Sequence, residues 1–85
     1  MNGANLAGSK LTRAKLVKAT LAGASLERAD LEHADFSGAN LAGASLKGAK
    51  LDDGLFKKAN LENADFTGAE LGDADFSGAK GRIPG

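Results

Sequence analysis

Cysteine, tryptophan and tyrosine are absent from this chain, and histidine and proline occur once each. Without cysteine, neither a disulfide framework nor a thiolate metal site can form. Without tyrosine or tryptophan, and with the four phenylalanines assigned below to the interior, there is no platform for stacking nucleic-acid bases. No apolar run approaches the ~18 residues of a membrane-spanning helix. The start, Met1-Asn2-Gly3-Ala4-Asn5, lacks the basic region and apolar stretch of a secretory signal, so a cytoplasmic location is expected. A dominant charge is missing too, because eleven Lys and Arg balance eleven Asp and Glu.

What is present is a period. A large apolar residue, here called the centre, falls on every fifth position from Leu6 through Leu11 and Leu16 to Leu71 and Phe76, with Met1 in frame before them. Two positions ahead of each centre stands alanine, from Ala4 to Ala79, and only Ser9 and Gly54 depart. Sixteen consecutive pentads without an insertion are a strong repeat signal.

A period of five excludes the ordinary elements. On an α-helix each step would rotate the next centre by ~140°, because one residue advances ~100°. On a straight strand an odd step moves the side chain to the opposite face. A chain that turns a corner after every pentad can bury all the centres on one axis. Four corners then close a coil of twenty residues, and coils stack at the ~4.8 Å strand spacing. The residue two after the centre agrees: it is glycine at Gly3, Gly8, Gly23, Gly38, Gly43, Gly48, Gly68 and Gly78, and asparagine at Asn63. A type II turn needs positive φ there, which glycine and asparagine adopt at little cost. At the alanine position the inward space is too tight for more than a methyl group.

In this pattern, A(D/N)LXX, residues 1–80 resemble the pentapeptide repeat family. The resemblance implies an all-β fold, a right-handed quadrilateral parallel β-helix of about four coils. One domain is expected: the β-helix over 1–80, then a tail, 81–85, where Gly81 takes a centre position and Pro84 removes a backbone donor. Neither end carries a helix to cover the solenoid's cross-section, so the expectation is a fragment of something longer or ends buried by assembly.

Charge alternates along the coils. Coil one (1–20) holds Lys10, Arg13, Lys15 and Lys18 and no acid, while coil two (21–40) is net −3, coil three (41–60) +2 and coil four (61–80) −4. Residues twenty apart should lie over one another, so Lys10, Asp30, Lys50 and Glu70 are expected as an alternating ladder that specifies register more than stability. End-to-end self-association of the basic and acidic end coils is expected on the same ground.

By face, the column of Leu11, Leu31, Leu51 and Leu71 is net acidic and that of Leu16, Phe36, Phe56 and Phe76 net basic. The face of Leu21, Leu41 and Leu61 is nearly uncharged, built from Thr20, Ala22, Asn40, Ala42 and Asn60 among small residues, and Asn40 over Asn60 could form an amide ladder. A core ladder of Leu16, Phe36, Phe56, Phe76 and Phe66 is expected, with the missing methyl at Gly54 making room for stacked rings. Leu55, where the family has Asp or Asn, and Val17 are expected as neighbouring exposed apolar points. Asn40, Ala42, Asn60, Leu55 and Val17 together form the candidate interaction surface.

The chemistry of catalysis is missing. His33 falls in a column with Arg13, Asp53 and Asp73 on a solvated face, which reads as a surface ion pair rather than a metal site. Serines 9, 25, 37, 45 and 77 have no histidine placed to activate them. The glycines answer to turns and not to a phosphate loop. Threonines 12, 20 and 67 lie in different columns, which argues against an ice-binding array. The expected function is a non-catalytic scaffold that binds a protein partner through flat faces, with no cofactor, no metal, no membrane and no direct nucleic acid. Two alternatives stand beside it. The resemblance implies the first: some family members mimic duplex DNA and bind gyrase, a type II topoisomerase, protecting it from quinolones. Those are longer, strongly acidic dimeric rods, whereas this chain is neutral with a basic first coil. The second is a designed or truncated structural module.

Overall fold

The computed structural model describes residues 1–82; the stop expected at Pro84 lies outside the described residues. Backbone pairing is parallel and always twenty residues apart: Asn5 with Ser25, Lys10 with Asp30, and so on to Asn60 with Lys80. The chain therefore winds as four stacked coils, 1–20, 21–40, 41–60 and 61–80, with one paired residue on each side of each coil. Among the described residues no longer strand develops, because two of every five are taken up by a turn.

The pentad 35–39 shows how the backbone is satisfied. Asp35 N–H donates back to Ala14 O of the coil before at 2.9 Å, while Phe36 and Gly38 donate forward to Leu55 O and Lys57 O at 2.6 and 2.8 Å. Ala39 N–H closes the turn on Phe36 O at 2.9 Å. That leaves Ser37 N–H, which donates to Asp35 Oδ1 at 3.0 Å. Asn5, Asp30, Asn40, Asn60, Asp65 and Asp75 bind the N–H two residues on in the same way. The Asp or Asn of the repeat is thus an Asx turn that supplies the one acceptor the coil stack does not.

Corners form at the two residues after each centre, and the second of these has positive φ all along the stack. Glycine and asparagine account for only part of the set. Arg13, Lys18, Arg28, His33, Asp53 and Lys58 also sit at φ between 59° and 64°. These residues are held there by the coil-to-coil bonds on either side of the corner. One corner differs. At 72–73 the positive φ belongs to the first residue, Gly72, at 45°, and the bond expected from Asp53 N–H to Gly72 O is not made. Asp52 Oδ1 lies where a Gly72 Cβ would come within 2.6 Å, so a larger residue at 72 would have to push that carboxylate aside.

The core contains alanine, leucine and phenylalanine and no buried polar side chain among the described residues. In coils two and three the centres and their alanines are 0–1% exposed. Phe36, Phe56 and Phe76 stack with centroids 5.0 and 5.1 Å apart, and Phe66 meets Phe76 edge-on at 5.9 Å. A Cβ on Gly54 would stand 3.1 Å from the Phe56 ring and 3.0 Å from Leu51 O, so its absence gives that middle ring space. The expected core ladder is not buried evenly. Phe36 and Phe56 are fully enclosed, but Leu16, Phe66 and Phe76 are only partly buried because their coils are covered on one side.

Candidate interaction surface

The stack presents four flat faces separated by columns of corner residues. On the least charged face, Thr20, Asn40 and Asn60 pair in sequence along the middle. Ala22 and Ala42 stand at the adjoining corner, half-buried. Asn40 and Asn60 do not form the amide ladder expected of them. Each Oδ1 is held by its own turn, on Ala42 N and Glu62 N, both at 3.1 Å. The side-chain amide nitrogens are left to the solvent side.

Leu55 and Val17 do not form one apolar patch. Leu55 is half-buried, because it pairs on both sides, with Asp35 and Asp75, and neighbouring coils cover its flanks. Val17 is 49% exposed and belongs to coil one, two coils away. Leu55 offers no acceptor to Lys57 N–H, so this pentad lacks the Asx bond.

The alternating column Lys10, Asp30, Lys50, Glu70 is in register, but no contact within it is short enough for an ion pair. The close lysine–aspartate pairs run diagonally instead. Lys47 Nζ reaches Asp65 at 3.7 Å and Lys57 Nζ reaches Asp75 at 3.9 Å. Ser45 Oγ donates to Glu27 Oε2 at 2.9 Å over the same 18-residue span. The offset follows from the Asx role: the acid occupies the paired position, the lysine a corner two residues past it, so the nearest partner is eighteen on. His33 Nε2 lies 3.7 Å from Asp53 Oδ2 with both side chains about half exposed, a surface pair.

Three aspartates are held below the usual carboxylate range. Asp35, Asp65 and Asp75 each receive a side-chain hydroxyl and then a backbone N–H, from Ser37, Thr67 and Ser77 respectively, with nearby lysines adding a smaller effect. Sequence reading missed these Asp-x-Ser and Asp-x-Thr clamps, although the two-residue spacing that marks them is visible. No cluster of three or more His, Asp or Glu able to hold a metal occurs among the described residues. No helix in them is long and apolar enough to cross a membrane.

The model of the pentapeptide repeats matches in eight copies, over residues 1–28, 14–53 and 44–80. The chain belongs to the pentapeptide repeat family. No curated protein matches this pentapeptide repeat chain significantly in sequence. Among solved structures it is similar to HetL, a pentapeptide repeat protein involved in heterocyst differentiation regulation in the cyanobacterium Nostoc sp. strain PCC 7120. That likeness has a TM-score of 0.88 at 44% identity and covers 93% of this chain and 37% of HetL. It is also similar to AT2G44920 from the Arabidopsis thaliana thylakoid lumen, at TM-score 0.73 and 25% identity over 92% of this chain and 61% of that one. QnrB1, a plasmid-mediated fluoroquinolone resistance protein, matches at TM-score 0.67 and 29% identity over 84% of this chain and 36% of its own. This chain therefore spans between about a third and under two thirds of the length of each.

Proposed function

We propose that this pentapeptide repeat chain is a right-handed quadrilateral parallel β-helix serving as a non-catalytic scaffold that binds a protein through the face of Thr20, Asn40 and Asn60. The observation that carries the reading is the chemistry of that face. It is flat and nearly uncharged, its corner is lined by Ala22, Gly23, Ala42 and Gly43, and its amide oxygens are already engaged. Small side chains let a partner surface approach closely, and little charge has to be desolvated on contact. The similarity to HetL, a protein of a regulatory process, supports a binding role over a chemical one. Affinity capture from a native lysate, comparing the chain with an Ala42→Arg variant and with a Lys57→Glu variant on another face, tests it. A protein retained by the chain and by Lys57→Glu but lost with Ala42→Arg supports the reading. Loss with Lys57→Glu alone would move the site to the basic face.

The second reading, a DNA-mimicking modulator of gyrase, rests on the similarity to QnrB1. Surface charge opposes it, since coil one is wholly basic and the chain is neutral. In a supercoiling assay at micromolar concentration the chain is expected neither to inhibit gyrase nor to shield it from a quinolone. Protection would promote this second reading over the first.

A further inference from the structure

Coil stacking in this chain has a direction. Every interior centre donates its N–H forward, as Leu31 does to Lys50 O, and every paired residue donates back, as Lys50 does to Ala29 O. In coil four, Leu71 and Phe76 N–H and Ala69 and Ala74 O have no backbone partner among the described residues. In coil one, Lys10 and Lys15 have neither N–H nor O engaged with another backbone group. The two layers complement each other. Stacked in sequence, Leu71 and Phe76 would donate to Lys10 O and Lys15 O, and Lys10 and Lys15 would donate to Ala69 O and Ala74 O. Two coil-four layers facing each other would bring their strands together antiparallel and could not continue this parallel pairing.

Charge and apolar packing follow the same register. Because 1–80 is four whole coils, an incoming coil one takes the columns it would occupy as a fifth. Lys10 then falls over Glu70, Arg13 over Asp73 and Lys15 over Asp75, with no like charges opposed in these three columns. Leu6, Leu11 and Leu16 would cover Phe66, Leu71 and Phe76, all of them only partly buried in the single stack. We propose that the 85-residue polypeptide associates head to tail, coil four of one copy receiving coil one of the next in unbroken twenty-residue register. Such a contact is heterologous and does not close, so it propagates.

The tail sets the condition. Leu61 N–H donates to Lys80 O at 2.9 Å, and Gly81 lies so close over Leu61 that a Cβ there would be 2.7 Å from its carbonyl. Gly81 and Arg82 thus occupy the positions that Met1 and Asn2 of the next copy require, and they must give way. If the five residues 81–85 instead stayed as a seventeenth pentad, the incoming coil would be turned by one face, and Lys15 would sit over Lys80. Charge disfavours that register.

Sedimentation velocity of the 85-residue chain at about 20 mM and about 500 mM salt, where the Debye length falls from ~20 to ~4 Å, tests the contact. The expected result is a concentration-dependent series of species without a dimer endpoint, its association weakened about tenfold at high salt. Glu70→Lys should weaken it, and adding Lys10→Glu to that variant should restore it, with circular dichroism confirming that both fold. Ending the chain after Lys80 should strengthen it. A monomer at every concentration, or a discrete dimer indifferent to salt, would overturn the proposal. So would a double variant no better than the single one, or weaker association after removing the tail.

Discussion

Six charged or ionisable side chains at second-corner positions adopt a conformation that glycine enters freely. For an L-residue the left-handed region costs ~1–2 kcal/mol, offset in part by glycine's greater flexibility in the unfolded chain, ~0.5–1 kcal/mol. Arg13, at φ 64°, is expected to stabilise the fold by about 0.5–1 kcal/mol when changed to glycine. Gly23, at φ 70° with open space around its would-be Cβ, should lose about 1 kcal/mol on change to alanine. Urea midpoints at high salt measure both, and equal signs for the two changes would mean the corners are not conformationally strained. The Asx clamps give a second residue-level expectation. Asp75 has a folded pKa below its ordinary 3.8, so across the window between the two values the unfolded chain binds more protons. Stability from this group is therefore full above about pH 5 and lost as pH falls through the lowered value. Asp75→Asn keeps an oxygen for Ser77 N–H while removing the titration. Its acid unfolding curve should be flatter than that of the parent chain, and an unchanged acid limb would rule the clamp out as a source of pH dependence.

At the scale of one element, each coil rests on its centres and not on its ion pairs. Phe56 is fully buried between two stacked rings, and Phe36 and Phe76 would face a void if it were truncated. Removing a large core side chain costs ~3–5 kcal/mol, so Phe56→Ala should lower the thermal midpoint sharply. Lys57→Ala removes only an exposed 3.9 Å pair with Asp75 and should barely move the midpoint. Similar losses from the two would show that the inward and outward assignments are wrong. The long side chains at left-handed corners add a smaller packing effect between elements. The Cγ atoms of Lys18, Arg28 and Lys58 lie 3.3–3.4 Å from the would-be Cβ of the glycine one coil on, so their aliphatic stems lie along that turn and cover it from solvent.

Across the whole molecule, stability should be graded along the axis. Only coils two and three have coils on both sides, and only there, apart from Leu61 beneath Lys80 and Gly81, are the centres fully enclosed. A solenoid's stability is close to a sum of units and nearest-neighbour contacts, so the outer coils open more readily. Amide hydrogen exchange is expected to be slower at Leu26 and Leu31 than at Leu6 and Leu11, although all four are hydrogen-bonded to the following coil. Uniform protection from end to end would show instead that the stack opens as one cooperative unit. Far-ultraviolet circular dichroism should show β-structure with essentially no helix; a helical spectrum would contradict the coil itself.

The five-residue period alone determined the coil, its twenty-residue repeat, the inward centres and the stacked Phe36, Phe56 and Phe76, because a strict period leaves few ways to bury its apolar residues together. The reason for the Asp or Asn letter, the diagonal spacing of ion pairs and the unusual corner at Gly72 emerged only in three dimensions. Each depends on where a backbone N–H or C=O is left after the neighbouring coil has taken its share, which a linear pattern does not count. Leu55 makes the same point. Its type and position suggested exposure, but pairing with Asp35 above and Asp75 below half-covers it. The neighbours that flank Leu55 lie twenty residues away in both directions, and only the stacked structure brings them together.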